Sequence, residues 1–97
     1  MNQTPNAGNG HWQVQVTGPA LIGFRRLRTK AAAAIAEFVT AVLADDPYGL
    51  SKPLASRLLD LRTARRGDYR VLFTLDTEDR ILYVKRIEHR SDVFEPR

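Results

Sequence analysis

Two alternating runs, roughly residues 68–76 and 80–88, narrow the possible folds most. Tyr69, Val71, Phe73 and Leu75 fall at every second position of the first run. Leu82, Val84, Arg86, Glu88 and then Arg90 share one parity in the second. A period of two is the side-chain repeat of a β-strand. The polar joint Asp76-Thr77-Glu78-Asp79 between the runs predicts an antiparallel hairpin. Such a hairpin is not stable by itself and needs a cover for its apolar face. With 97 residues, the chain has enough material for one domain and one core.

The upstream segments supply that cover. "HWQVQV" sets Trp12, Val14 and Val16 on one face and Gln13 and Gln15 on the other, which predicts a further strand. Pro19 suits a first helical turn, and Leu21, Ile22, Phe24 and Leu27 give that segment an apolar side that Gly23 interrupts. Ile35, Phe38, Val39, Val42 and Leu43 follow the spacing i, i+3, i+4, i+7, i+8 of one helical stripe. Thr29 is placed to cap its start, and Asp45-Asp46-Pro47 to end it. These two segments read as a helical hairpin. After Lys52-Pro53-Leu54 come a turn or short helix with Leu58 and Leu59, then a weaker strand from Leu61 to Arg65. Val93 and Phe94 are placed to dock back on the body. The order is β-α-α-β-β-β, an α+β fold with the helical hairpin packed on a small, mostly antiparallel four-stranded sheet. Residues 1–10 are polar with almost nothing to bury and read as a disordered tail, leaving 11–97 as the domain.

Several classes of protein are disfavoured. No run approaches the roughly 20 apolar residues of a membrane span. "MNQTPNAGNG" lacks the basic and apolar regions of a signal peptide. There are no cysteines and no paired-histidine spacing, so no metal site and no cofactor are expected. Glycine-rich phosphate loops and nucleophile elbows are also missing from the sequence. The expectation is a cytoplasmic protein without a membrane partner.

Charge is distributed unevenly. Residues 1–48 hold four Lys/Arg and three Asp/Glu, whereas residues 49–97 hold eleven and eight. Arginine dominates the second half, and its guanidinium is shaped for bidentate contact with phosphate. If Arg70 and Arg90 share an exposed face, basic groups converge there, with Arg62, Arg65 and Arg66 arriving from the preceding strand and turn. The alternative is plain surface pairing with Asp60, Asp68, Glu88 and Asp92. His89, beside Arg90, is of a type that exchanges protons near neutral pH, although a lone histidine is more often structural.

"KPL" at 52–54, "RRGDYRVLFTLD" at 65–76 and "ILYVKRIEHRSDVF" at 81–94 resemble the RelE/ParE toxin superfamily, and its RelE branch in particular. The resemblance runs from the first strand to Phe94. It implies the toxin of a type II toxin–antitoxin system, neutralised by a cognate RelB-like antitoxin. It further implies a ribosome-dependent mRNA endoribonuclease that cuts messages in the ribosomal A site. The implied chemistry is metal-independent attack by a ribose 2′-hydroxyl, which inhibits translation. On that resemblance Arg70 is the phosphate clamp, Arg90 a second transition-state contact and His89 an acid or base. Arg62, Arg65, Arg66 and Phe94 become substrate-binding residues. The chain departs from the family pattern in two places. Leu61, Arg62 and Thr63 stand where some members have lysines, and Phe94 stands where many have tyrosine. A ParE-like inhibitor of DNA gyrase, or a catalytically weak relative that mainly binds antitoxin, are the alternative readings.

Overall fold

The structure, a computed structural model, describes residues 11–54 and 60–90. Strand β1 (Gln13–Val16) leads into helix α1 (Gly18–Arg25) and helix α2 (Thr29–Glu37). Strands β2 (Lys52–Pro53), β3 (Arg62–Arg66), β4 (Tyr69–Asp76) and β5 (Ile81–His89) follow. Together they form one sheet in the order β1-β5-β4-β3-β2. Only β1 and β5 run parallel, while the other neighbours are antiparallel. The α+β class and the largely antiparallel sheet agree with the sequence. The strand count does not, because Lys52–Pro53 adds a fifth strand at the edge. Two residues are too short to show a period, and proline is tolerated in a sheet mainly at an edge.

Both hairpin turns follow from local chemistry. Gly67 adopts φ +61° between β3 and β4, as the first central residue of a two-residue turn that matches the strands' twist requires. Between β4 and β5, the Asp76 carboxylate accepts hydrogen bonds from the Glu78 and Asp79 amides, both at 3.1 Å. That loop ends at Arg80 in the left-handed region, φ 55°. Its guanidinium lies 4.7 Å above the Trp12 ring.

The core lies between the helices and one face of the sheet. Ile35, Phe38, Val39 and Leu43 pack with Trp12, Ala64, Val71, Phe73, Leu82 and Val84. Val42, expected in the helical stripe, is instead 46% exposed. After Glu37 the helix widens into a π turn (Phe38–Val42) and then tightens into a 3₁₀ turn (Leu43–Asp45). The wider turn advances fewer degrees per residue, which rotates Val42 out and brings Leu43 round to the core. Helix α1 also seats differently from expectation. Ala20 is buried and Phe24 and Leu27 pack on the core, while Leu21 and Ile22 face solvent. Thr29 does not cap α2. It is the first helical residue, preceded by Arg28 without any side-chain cap. The expected segment around Leu58 and Leu59, the tail 1–10 and the docking of Val93 and Phe94 lie outside the described residues. Among the described residues, no helix is long and apolar enough to cross a membrane.

Candidate functional site

A β-bulge decides which charged residues meet. Phe73 pairs with Val84, but Leu72 pairs with Arg86, so Lys85 is an extra residue in β5. An inserted residue reverses the alternation beyond it. Leu82 and Val84 therefore point into the core, and beyond the bulge Ile87 takes over that side. The expectation that Leu82 and Val84 share a face with Arg86 and Glu88 is corrected accordingly. Two rows result on the face turned away from the helices. The first contains Lys52, Thr63, Leu72 and Arg86, and the second Arg65, Arg70 and Glu88.

Arg65 and Arg70 are directly opposite each other on β3 and β4. Like charges in that position repel at a spacing of about 5 Å between Cβ atoms. Among the described residues no carboxylate pairs with either of them. Glu88, which is opposite Arg70, is held by Arg86 at 3.1 Å. Arg65 and Arg70 both line two shallow depressions. One, of about 420 Å³, is lined by Arg65, Gly67, Asp68, Tyr69, Arg70 and Arg90. The other, of about 580 Å³, is lined by Arg65 and Arg70 with Gly49, Leu50, Ser51, Lys52 and Thr63. Arg90 differs from the central pair in having a carboxylate. Its guanidinium donates to Asp68 at 3.2 Å, and its backbone amide donates to the Asp68 carbonyl at 2.7 Å. Both side chains of that ion pair are largely exposed, where such a pair contributes about 0–1 kcal/mol and yields readily to a competing anion.

Three expected members stand elsewhere. Arg62 and Arg66 flank Ala64 on the helix-facing parity of β3, so they do not extend the Arg65–Arg70 pair. The Arg62 Nε donates to the Ser51 hydroxyl at 2.8 Å, and its guanidinium lies 5.0 Å from the Tyr48 ring centre. His89 is opposite Tyr69, with ring centres 4.9 Å apart, on the side that faces α1. It lines a groove of about 630 Å³ with residues of α1. Sheet alternation thus separates His89 from the Arg70 guanidinium. Phe94 lies outside the described residues. Lys52 and the loop before it were missed by sequence reasoning, because their place depends on long-range pairing with β3. Among the described residues, no group of three or more His, Asp or Glu side chains is placed to hold a metal.

Comparison with known proteins places this geometry in a family. The model for the ParE toxin of type II toxin–antitoxin systems matches residues 14–94. The chain is 40% identical over 80 residues to toxin RelE of Mycobacterium tuberculosis, covering 82% of each protein. It is 32% identical over 83 residues to toxin RelG of the same organism, covering 86% of this chain and 95% of that one. A chain of the toxin–antitoxin complex RelBE2 from M. tuberculosis superposes with a TM-score of 0.78 at 33% identity, covering 84% of this chain and 93% of that one.

Proposed function

The chain belongs to the RelE/ParE toxins of type II toxin–antitoxin systems and is RelE-like among them; from that premise we propose that it is a ribosome-dependent mRNA endoribonuclease. The observation that carries the reading is the Arg65–Arg70 pair, two arginines directly opposite each other with no described counter-ion on the face away from the core. A sheet tolerates that repulsion at a cost, and an anion placed between the two cations turns the cost into binding.

In the proposed reaction the ribose 2′-oxygen attacks the adjacent phosphorus. The bond from phosphorus to the 5′-oxygen breaks, leaving a 2′,3′-cyclic phosphate and a 5′-hydroxyl. The 2′-hydroxyl loses its proton and the departing 5′-oxygen gains one. Negative charge concentrates on the nonbridging oxygens as phosphorus becomes five-coordinate. Fixed guanidiniums aimed at those oxygens stabilise the transition state through charge-assisted, bidentate hydrogen bonds. Arg70 is the clamp and Arg65 its partner across the strand pair. Arg90 binds at the end of the depression by exchanging Asp68 for a substrate phosphate. A guanidinium stays protonated and is a poor base. His89 faces the other way, so the proton-transfer role expected for it has no direct path to this face.

A RelB-like antitoxin is the proposed partner, since the related M. tuberculosis chain was solved as a toxin–antitoxin complex. The helical hairpin, where Leu21 and Ile22 are exposed, and the arginine face are its proposed contacts. Protection of residues 19–45 from hydrogen exchange on mixing the two proteins checks that assignment. Primer extension on messages during in vitro translation tests the activity. Cuts should appear only with ribosomes and fall about 10²–10³-fold in Arg70→Ala. Equal cutting without ribosomes rejects the ribosome-dependent step, and unchanged cutting in Arg70→Ala rejects the clamp. The family description names a ParE toxin, which favours a second reading, inhibition of DNA gyrase. A supercoiling assay separates the two.

A further inference from the structure

The sheet register places an additional cation beside the arginine pair. Lys52 is directly opposite Thr63 at the β2–β3 edge. Both residues line the same depression as Arg65 and Arg70. Along β3, Thr63 precedes Arg65 by two residues, about 7 Å on the same face. The basic groups on this face thus run from Arg90, through Arg70 and Arg65, to Lys52. Thr63 lines this depression, and its hydroxyl, buried beneath the surface, has no hydrogen-bond partner among the described residues. Such an orphan is unusual in a folded protein. Leu50, 43% exposed, is an apolar rim at the same end.

The Lys52 backbone is held in place from behind. Arg62 points to the opposite side of β3 and donates to Ser51 twice, to its hydroxyl at 2.8 Å and to its carbonyl at 3.4 Å. The Ser51 hydroxyl in turn donates to the Pro47 carbonyl at 2.6 Å. Tyr48, half exposed, lies beside the Arg62 guanidinium and makes an edge-to-face contact with Trp12, their ring centres 6.1 Å apart. The loop before β2 therefore has a fixed position against the body, and Lys52 follows it with no intervening residue.

We propose that Lys52 is a phosphate-contacting residue of the RNA-binding face, and that Arg62 is the positioning residue that holds it there through Ser51 and Tyr48. The proposal rests on the nuclease reading for its ligand, single-stranded RNA. Lys52 holds the phosphate one step beyond the Arg65–Arg70 pair, so it fixes the register of the message on the face.

The test uses a short, fully 2′-O-methylated RNA, which binds without being cut. Its dissociation constant is measured at several salt concentrations for the parent, Lys52→Ala, Lys52→Arg, Arg62→Ala and Arg70→Ala. Each phosphate contact on a single strand contributes about 0.7 to the slope of log K against log salt. Lys52→Ala should lower that slope by about 0.7, and Lys52→Arg should restore it. Arg62→Ala should lower it too, but add nothing when combined with Lys52→Ala. Lys52→Gln, which keeps the stem of the side chain, should repeat the result if the alanine variant is poorly folded. An unchanged slope in both Lys52→Ala and Lys52→Gln, with a reduced one in Arg70→Ala, overturns the Lys52 assignment and leaves the nuclease reading standing. A flat salt dependence in the parent overturns the Lys52 assignment too, while primer extension with ribosomes decides the nuclease reading separately.

Discussion

The two faces of the sheet obey opposite rules. On the helix side every central position is apolar and filled, with Val71, Phe73, Leu82 and Val84 fully buried beneath Ile35, Val39 and Leu43. No charge is buried there among the described residues. On the other side Arg65 is set against Arg70, Lys52 against an unpartnered hydroxyl, and Arg86 against the apolar Leu72. The same strands carry both sets, since successive side chains alternate. One face satisfies itself, while the other leaves Arg65 and Arg70 without a carboxylate among the described residues, although Arg86 pairs with Glu88 and Arg90 with Asp68. Departures from internal consistency of this kind gather where a protein binds or reacts.

Truncating the filled face should give the largest effect on stability. Phe73→Ala removes a fully buried ring from the middle of β4, and such changes cost about 3–5 kcal/mol. A domain of this size has only about 5–15 kcal/mol in total, so the melting midpoint should drop by tens of degrees or folding should fail. Thermal unfolding followed by circular dichroism measures this. Arg70→Ala should do the reverse, with cleavage falling about 10²–10³-fold and the melting midpoint unchanged or higher. If Arg70→Ala melts much earlier than the parent, the arginine supports the fold and the contrast between the faces disappears.

What could be read from the sequence follows the same division. The period-two runs of β4 and β5, the polar joint between them and the stripe through Ile35, Phe38, Val39 and Leu43 were legible because each depends on local repeat and burial. The β5 bulge was not. Nothing in "LYVKRIEH" marks Lys85 as an extra residue, so counting by twos through Val84 put Leu82 and Val84 on one face with Arg86 and Glu88, whereas the first two belong to the core. Short pairing partners were missed for a related reason, as the two-residue β2 exists only because β3 is beside it. Of the site residues, Arg65, Arg70 and Arg90 meet at one depression, whereas Arg62, Arg66 and His89 required knowledge of strand parity to place. The Val42 position shows the same limit in a helix, where one wide turn shifts the phase of the stripe.

An intermediate effect should come from reversing one charge of the facing pair. Arg65→Glu turns a repulsive cross-strand pair into an attractive one, worth roughly 0.2–1 kcal/mol of added stability. The same change should abolish detectable binding of single-stranded RNA at 150 mM salt, since it removes one contact and places a carboxylate beside another. Stability rising while binding falls would show that the repulsion is retained for its ligand. Both falling together would mean that Arg65 has a structural partner on the folded protein.

The smallest predicted change concerns the helix side again, at Gly23. Glycine in a helix interior costs about 0.5–1 kcal/mol relative to alanine. It is tolerated here where α1 crosses β5, and close approach is the obvious reason for keeping it. The spacing does not support that reason. A Cβ built at Gly23 would stand 3.6 Å from the Ile87 Cβ and 3.6 Å from its carbonyl oxygen, which is ordinary contact. Gly23→Ala should therefore stabilise the domain by about 0.5–1 kcal/mol and raise the melting midpoint by a few degrees. Gly49→Ala is the counter-case, because a Cβ there makes the exposed Asp46 carboxylate turn away and give up the hydrogen bond it accepts from the residue 49 amide. That variant should loosen the loop leading to Lys52 and lower the midpoint. A destabilised Gly23→Ala would mean that α1 sits closer to β5 in solution than these distances allow, and that the helix-facing side has no slack even for one methyl group.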